Sequence, residues 1–243
     1  MSDPDSTSGH DRPTDAERAT NAEPPEGTDS SGDNLPIVDP ATLDPPTGES
    51  PRVAGVLLAA GTSSRFGPEN KLLATVDGEP LVRHALRTLA AAGIDPVFVV
   101  VGYEADAVRG ALPGDGERIV EAIDYEEGQS ASVRAGAAAV AGTDAEATVF
   151  LPGDMPFVDP GTVGALVDAY AGGTGDALAA AHEGVRGNPV LFDRRHLDAL
   201  RRVGGDVGGR AVLLGSTDAA LVAVDDPGVR VDIDTPADLA RHG

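Results

Sequence analysis

The sequence predicts an α/β fold built on a mostly parallel sheet, and three observations carry that prediction. From Arg52 onward, apolar strands alternate with amphipathic helices, the order produced by successive βαβ units. The strands at 53–58 and 96–102 are near-continuous runs of Val, Leu, Ala and Phe, as expected for strands covered on both faces. Glycine- and hydroxyl-rich loops follow the strands, and open α/β sheets bind ligands beyond the carboxyl ends of their strands.

Residues 1–50 are rich in Asp, Glu, Ser, Thr, Pro and Gly, and their one hydrophobic cluster is Leu35, Pro36, Ile37 and Val38. Such a segment buries too little to offset its ordering entropy, so a disordered acidic tail is expected, followed by one domain over 51–243. A docking peptide around Leu35 to Val38 is the functional alternative. After the strand at 53–58, Pro80 opens a helix with Leu81, Ala85, Leu89 and Ala92 on one face, while Arg83, His84 and Arg87 fall toward another. His84 is therefore expected to be solvated. Gly93 stops that helix, and a buried strand follows at 96–102. A short helix at 103–112, a strand at 118–123 and an alanine-rich helix ending near Ala141 come next. A strand at 148–151, a helix capped by Asp159 and Pro160, and a strand at 176–181 lead to a hairpin at 182–192. A glycine-rich loop at 204–210 opens another helix, and 229–234 is expected to be a strand entering the last helix.

Composition narrows the possible functions. The 243 residues hold 40 acidic and 18 basic side chains, a net charge of −22, so nucleic acid and anionic membranes are repelled as partners. The acid excess, the many small residues and the near absence of lysine resemble cytoplasmic proteins that work in concentrated salt, where screening relieves self-repulsion. No cysteine is present, which removes disulfides, thiolate nucleophiles and cysteine-based zinc sites. His182-Glu183 begins an H-E pair, but Arg186 stands where a zinc-binding H-E-x-x-H needs its second histidine. No run of 18 apolar residues occurs and the first 30 residues lack the apolar core of a signal peptide, so a cytoplasmic protein is expected.

The chemistry concentrates where the first strand ends, at Leu58, Ala59, Ala60, Gly61, Thr62, Ser63, Ser64, Arg65, Phe66 and Gly67, with Lys71 just beyond. A loop of small residues can turn several N–H groups toward one anion, and Arg65 and Lys71 add two positive charges beside it. Five residues separate Gly61 from Gly67 and Lys71 follows four later, so the Walker spacing is not met. The dinucleotide fingerprint G-x-G-x-x-G is also absent from this turn. Lys71 is the only lysine in the chain.

Four further segments carry candidate chemistry. Gly128, Gln129, Ser130, Ala131 and Ser132 place small residues and hydroxyls at a helix start, where a base or ribose can approach the backbone; Ser130 or Ser132 serving only as a helix cap is the alternative. Pro152, Gly153, Asp154, Met155 and Pro156 deliver a carboxylate into the same crevice, suited to Mg²⁺ beside a triphosphate, a hard cation that prefers oxygen ligands. The loop from Gly204 to Arg210 could bring an arginine to an acceptor phosphate. Asp232 and Asp234, spaced by two on an expected strand, would share a face, and one of them could complete the metal shell.

The L-A-A-G-x-S-x-R-F-G run with its nearby lysine resembles the signature of the MobA-like nucleotidyltransferases, and Ala59-Ala60-Gly61 is similar to the branch that transfers CMP from CTP to molybdopterin. The guanylyl branch usually has glycine where Ala60 stands. The resemblance extends from about Val53 to Leu239 and implies a three-layer α/β/α nucleotidyltransferase fold, Rossmann-like and of the nucleotide-diphospho-sugar transferase type. It implies catalytic roles for Arg65, Lys71 and Asp154. Nucleotide contacts fall on the 58–63 loop, Arg65, Lys71, Gly128, Ser130 and Ser132, and acceptor contacts on Asn188, Pro189, Asp206 and Arg210. Asp154 and Asp234, the latter directly before Thr235-Pro236, are the implied Mg²⁺ ligands. Tyr125 stands where the family shows tryptophan. The implied partners are CTP, a pterin phosphate and a recipient molybdoenzyme. A guanylyltransferase, a sugar-phosphate nucleotidyltransferase and a noncatalytic nucleotide-binding cofactor chaperone remain alternatives.

Overall fold

The computed structural model describes residues 34–43, 48–205 and 208–242. Eight strands, β1 Ile37–Val38, β2 Val53–Ala59, β3 Val97–Val101, β4 Arg118–Glu121, β5 Ala147–Pro152, β6 Ala177–His182, β7 Val185–Asp193 and β8 Ala219–Ala223, form one sheet in the order β1-β8-β6-β7-β5-β2-β3-β4. Every pairing is parallel except those of β7, which runs antiparallel to both β5 and β6. The exception has a local cause. Glu183 and Gly184 both take positive φ (+51° and +77°), which makes a tight two-residue turn between paired His182 and Val185, and so short a connection can join only antiparallel neighbours.

Helices cover both faces, giving the expected three-layer α/β/α arrangement. On one face α1 (Leu81–Ala91), α2 (Ala105–Ala111) and α4 (Pro160–Ala171) bury Val82, Leu89, Val108 and Leu166 against Leu57, Val99 and Leu151. On the other, α3 (Gln129–Ala141), α5 (Leu197–Leu200) and α6 (Arg210–Gly215) bury Val133, Leu200 and Leu213 against Val56, Val100 and Phe150. Gly136 permits the close approach of α3, because a Cβ there would lie 2.4 Å from Cγ1 of Val56, whose branched side chain is completely buried. Asp159 caps α4 by accepting the Gly161 N–H, as expected. None of the described helices is long and apolar enough to cross a membrane.

Three expectations change, and one strand was not foreseen. The segment 34–43 joins the sheet instead of the tail: Ile37 and Val38 pair with Leu221 and Val222, Pro36 accepts the Leu221 N–H at 2.8 Å, and Leu35 packs on one core while Val38 and Leu43 pack on the other. The short apolar cluster suffices because its partner strand, β8, is already in place. The tail expectation for residues 1–33 lies outside the described residues. His84 is not solvated, since its ring meets the Val76 carbonyl at 2.9 Å and ties α1 to the small hairpin of Thr75–Val76 and Glu79–Pro80. Residues 229–234 are not a strand: a 3-10 turn, Pro227–Arg230, is followed by an unpaired extended stretch, so Asp232 and Asp234 reach their neighbours without a sheet register. Finally, the alanine-rich strand β8 went unread.

The first change yields a prediction. A chain beginning at Gly48 loses β1 and its contacts, about 1–2 kcal/mol of burial, and should melt roughly 2–8 °C below one beginning at Asn34. Equal melting temperatures would show that β1 contributes nothing to the fold.

Candidate active site

β2 and β5 are neighbours at the point where the chain, having built β3 and β4 on one side, crosses to the other, and their carboxyl ends define the crevice. The loop after β2 is held by its own polar residues. Asn70, 3% exposed, accepts the Leu72 N–H at 3.1 Å, and the Ser63 hydroxyl accepts the Lys71 N–H at 3.1 Å while lying 3.4 Å from the Asn70 oxygen. Ser63 takes φ +57°, and Phe66 anchors the loop in a small core with Val76, Leu81 and Ile233. Asn70 was missed by the sequence reading, although an Asn directly before a short turn is an ordinary capping signal.

Lys71 leaves this loop for the centre of the site. Its Nζ donates to Oδ2 of Asp154 and to Oδ1 of Asp234, both at 2.6 Å, and Nη2 of Arg65 lies 2.9 Å from Oδ2 of Asp234. A backbone bond from Ile233 N–H to the Asp154 carbonyl, 2.9 Å, fixes the two carboxylate segments together. Burial alone would lower the lysine's pKa, but Asp154 and Asp234 outweigh it and hold the ammonium above its ordinary value. Asp234 is half-buried, which by itself would raise its pKa, yet Lys71 and Arg65 keep its carboxyl below the usual range. Asp232, though exposed, goes the other way, raised by partial desolvation and by the charges of Asp234 and Asp154.

Beside this cluster lies a cavity of about 380 Å³, lined by Leu58, Ala60, Gly61, Thr62, Lys71, Tyr125, Glu126, Gly128, Gln129, Ser132 and Asp154, among others. Gly102 lets its walls close, since a Cβ there would fall 2.6 Å from that of Tyr125 and 2.8 Å from that of Ala60. Tyr125 also packs near Tyr103, ring centroids 6.5 Å apart. Four expected nucleotide contacts stay out of the lining, Arg65 among them, its guanidinium paired with Asp234. Ala59 is buried in the sheet, Ser63 is engaged within its loop, and Ser130 is fully buried with its hydroxyl accepting from Arg134 at 3.2 Å. A second cavity of about 370 Å³, by Arg83 and Arg87, opens at the opposite end of β3, where Val97 begins the strand, and touches none of these residues.

Of the residues expected to meet an acceptor, Asn188 and Pro189 lie level with the end of β5, because the β5–β7 register pairs Phe150 with Val190. Gly187 makes room there: a Cβ would lie 2.1 Å from the Val229 carbonyl. Arg210 opens α6 behind the second glycine-rich loop, and Gly208 (φ +52°) abuts Gln129. Asp206 lies outside the described residues.

The donor set suits a hard divalent cation. Among the described residues, no group of three or more His or acidic side chains forms a complete cage. Mg²⁺ does not require one, since it is usually held by one or two carboxylates together with substrate phosphates and water. Asp154 and Asp234 are two such carboxylates, and they already share one cation, the Lys71 ammonium.

The model of the MobA-like NTP transferase domain matches residues 55–230. The nicotine blue oxidoreductase of Paenarthrobacter nicotinovorans is 32% identical over 200 residues, which cover 79% of this chain and 96% of that protein. The bifunctional protein GlmU of Brevibacillus brevis is 36% identical over 118 residues, 48% of this chain; the match spans 25% of that longer protein. Among solved structures, Rv0371c from Mycobacterium tuberculosis H37Rv superposes with a TM-score of 0.70 at 29% identity, covering 79% of this chain and 98% of that one. Its complex with manganese gives 0.65 at 28% identity, covering 78% and 97%.

Proposed function

The chain belongs to the MobA-like NTP transferase family, and from that premise we propose that this nucleotidyltransferase moves CMP from CTP to the phosphate of molybdopterin. The observation that carries this reading is the Lys71 ammonium held between Asp154 and Asp234 at the edge of the glycine-loop cavity. An oxygen of the acceptor phosphate forms a bond to the α-phosphorus of CTP, the bond from that phosphorus to the β-phosphate oxygen breaks, and pyrophosphate leaves with the electron pair. The second pKa of a phosphomonoester is about 6, so the nucleophile is anionic at neutral pH and needs no strong general base.

What the protein must supply is alignment of two anions and a counter-charge for the leaving group. The loop amides of Gly61 and Thr62 would face the phosphates, Lys71 contributes its ammonium, and Arg65, 73% exposed, has a guanidinium that can clamp a phosphate bidentately. Asp154 and Asp234 would hold Mg²⁺, which when bound neutralises oligophosphate charge; the manganese complex of the mycobacterial neighbour supports a divalent ion in this fold. Ala60 supports CTP over GTP because of the branch it resembles. Asn188, Pro189, Asp206 and Arg210 are assigned to the acceptor, a molybdoenzyme is the recipient of the product, and the cytoplasm is the site of action.

A sugar phosphate is the alternative acceptor, in keeping with the nucleotide-diphospho-sugar transferase type of fold, and the relative named as an oxidoreductase raises a redox reading that the missing G-x-G-x-x-G does not support. The test is pyrophosphate release with Mg²⁺, at low and molar KCl, comparing CTP, GTP, ATP and UTP against molybdopterin and a sugar 1-phosphate. Release that needs both CTP and molybdopterin is expected. A GTP preference would select guanylyl transfer, sugar-phosphate dependence the second acceptor, and nucleotide binding without release a noncatalytic role.

A further inference from the structure

Arg134 on α3 has no part in the chemistry described so far, yet it joins both halves of the site. Its side chain is 25% exposed; Nη2 donates to Oε2 of Glu127 at 2.5 Å, while Nη1 donates to the Ser130 hydroxyl at 3.2 Å and to the Val203 carbonyl at 3.1 Å. Glu127 and Ser130 flank Gly128 and Gln129, which line the nucleotide cavity. Val203 is the residue before the glycine-rich loop assigned to the acceptor. A second contact links the same two segments, for Gly208 sits so close to Gln129 that a Cβ would lie 2.6 Å from its Oε1.

We infer that Arg134 is a positioning residue that sets the acceptor-side loop against the nucleotide loop, so that a bound nucleotide holds the loop's flanks, Val203–Gly205 and Gly208–Gly209, in place. The planar guanidinium suits this task, because one rigid fork spans three acceptors on two segments. A lysine could keep the charge beside Glu127 but not the spread of donors. If Arg134 only stiffened α3, its loss would loosen the helix and both substrates alike. Coupling instead predicts an asymmetric defect, in which the nucleotide still binds but no longer orders the other loop.

The inference rests on the nucleotidyltransferase reading of the site, and hydrogen exchange on the full chain separates the two. The measurement compares wild type, Arg134→Met and Arg134→Lys, with Mg²⁺ and each of CTP, GTP, ATP and UTP. In wild type, the preferred nucleotide is expected to slow exchange both at 125–130 and at 203–205; in Arg134→Met only at 125–130, with Arg134→Lys intermediate. In turnover, Arg134→Met should raise the acceptor KM about tenfold, the scale of one charge-assisted hydrogen bond, while the nucleotide KM stays nearly unchanged. Equal protection of 203–205 in wild type and Arg134→Met, or protection of 125–130 alone in wild type, overturns the inference and leaves the reading standing. Protection at neither segment by any nucleotide overturns both. A folding defect in Arg134→Met leaves Arg134→Lys to report, and wild-type protection with an unchanged acceptor KM in that variant overturns the positioning role.

Discussion

Asp154→Asn is expected to lower turnover by about 10²–10³-fold or more while leaving the protein folded, the scale reached when one preorganised group at a phosphoryl or acyl transfer centre is lost. The substitution keeps the size of the side chain and its place at the end of β5. The backbone bond from Ile233 to the Asp154 carbonyl is untouched, and Lys71 retains Asp234 as a partner. What disappears is one of the two charges that hold the cation, so the requirement for Mg²⁺ should rise as turnover falls. Pyrophosphate release titrated with Mg²⁺ measures both effects, and circular dichroism checks the fold. Near-normal Mg²⁺-dependent release from Asp154→Asn would remove this aspartate from the catalytic set.

The sequence reading found Asp154 because a strand, a Pro-Gly turn and a lone carboxylate follow one another without a gap, and parallel-sheet topology dictates where such a turn must point. The same logic located the glycine loop. It did not find that Lys71 would be shared by two aspartates, since Asp234 lies 163 positions further along the chain and nothing local specifies the pairing. The strand expected at 229–234 failed for a related reason. Alternating Val, Asp, Ile and Asp satisfy a period of two, but Ile233 is buried in the small core beneath the glycine loop rather than in the sheet, and the stretch has no pairing partner. Strand β8 was overlooked because alanine carries little β-propensity, and only the completed sheet makes Ala219 and Ala220 core residues. Ser130 shows the limit of motif reasoning from the other side. A serine at a helix start reads equally well as cap or ligand, and here its hydroxyl is turned to Arg134.

Lys71→Met should produce a comparable loss of turnover, about 10²–10³-fold, together with a loss of stability that Asp154→Asn does not share. Lys71 is the buried cation among Asp154, Asp232 and Asp234, and Arg65, the other cation on the cluster, is exposed. Without the ammonium, Asp154 and Asp234 face one another with Asp232 close by, and breaking a buried pair in this way costs roughly 3–5 kcal/mol, less whatever Arg65 still neutralises. The pH dependence follows from the directions of the shifts. In wild type the depressed pKa of Asp234 gives a stabilisation that is complete above its unfolded value of about 3.9 and is lost as pH falls through the lower folded value. In the variant the facing carboxyls instead bind protons more tightly when folded, so its deficit should be largest near neutrality and shrink as pH falls toward about 4. Mg²⁺ should raise the variant's melting temperature more than wild type's, because a cation restored between two carboxylates replaces the one removed. Melts at pH 7 and pH 5, with and without Mg²⁺, test this. A Lys71→Met protein that melts like wild type at pH 7 and ignores Mg²⁺ would mean that the cluster is not held together by charge, and the assignment of Asp154 and Asp234 as a cation site would fall with it.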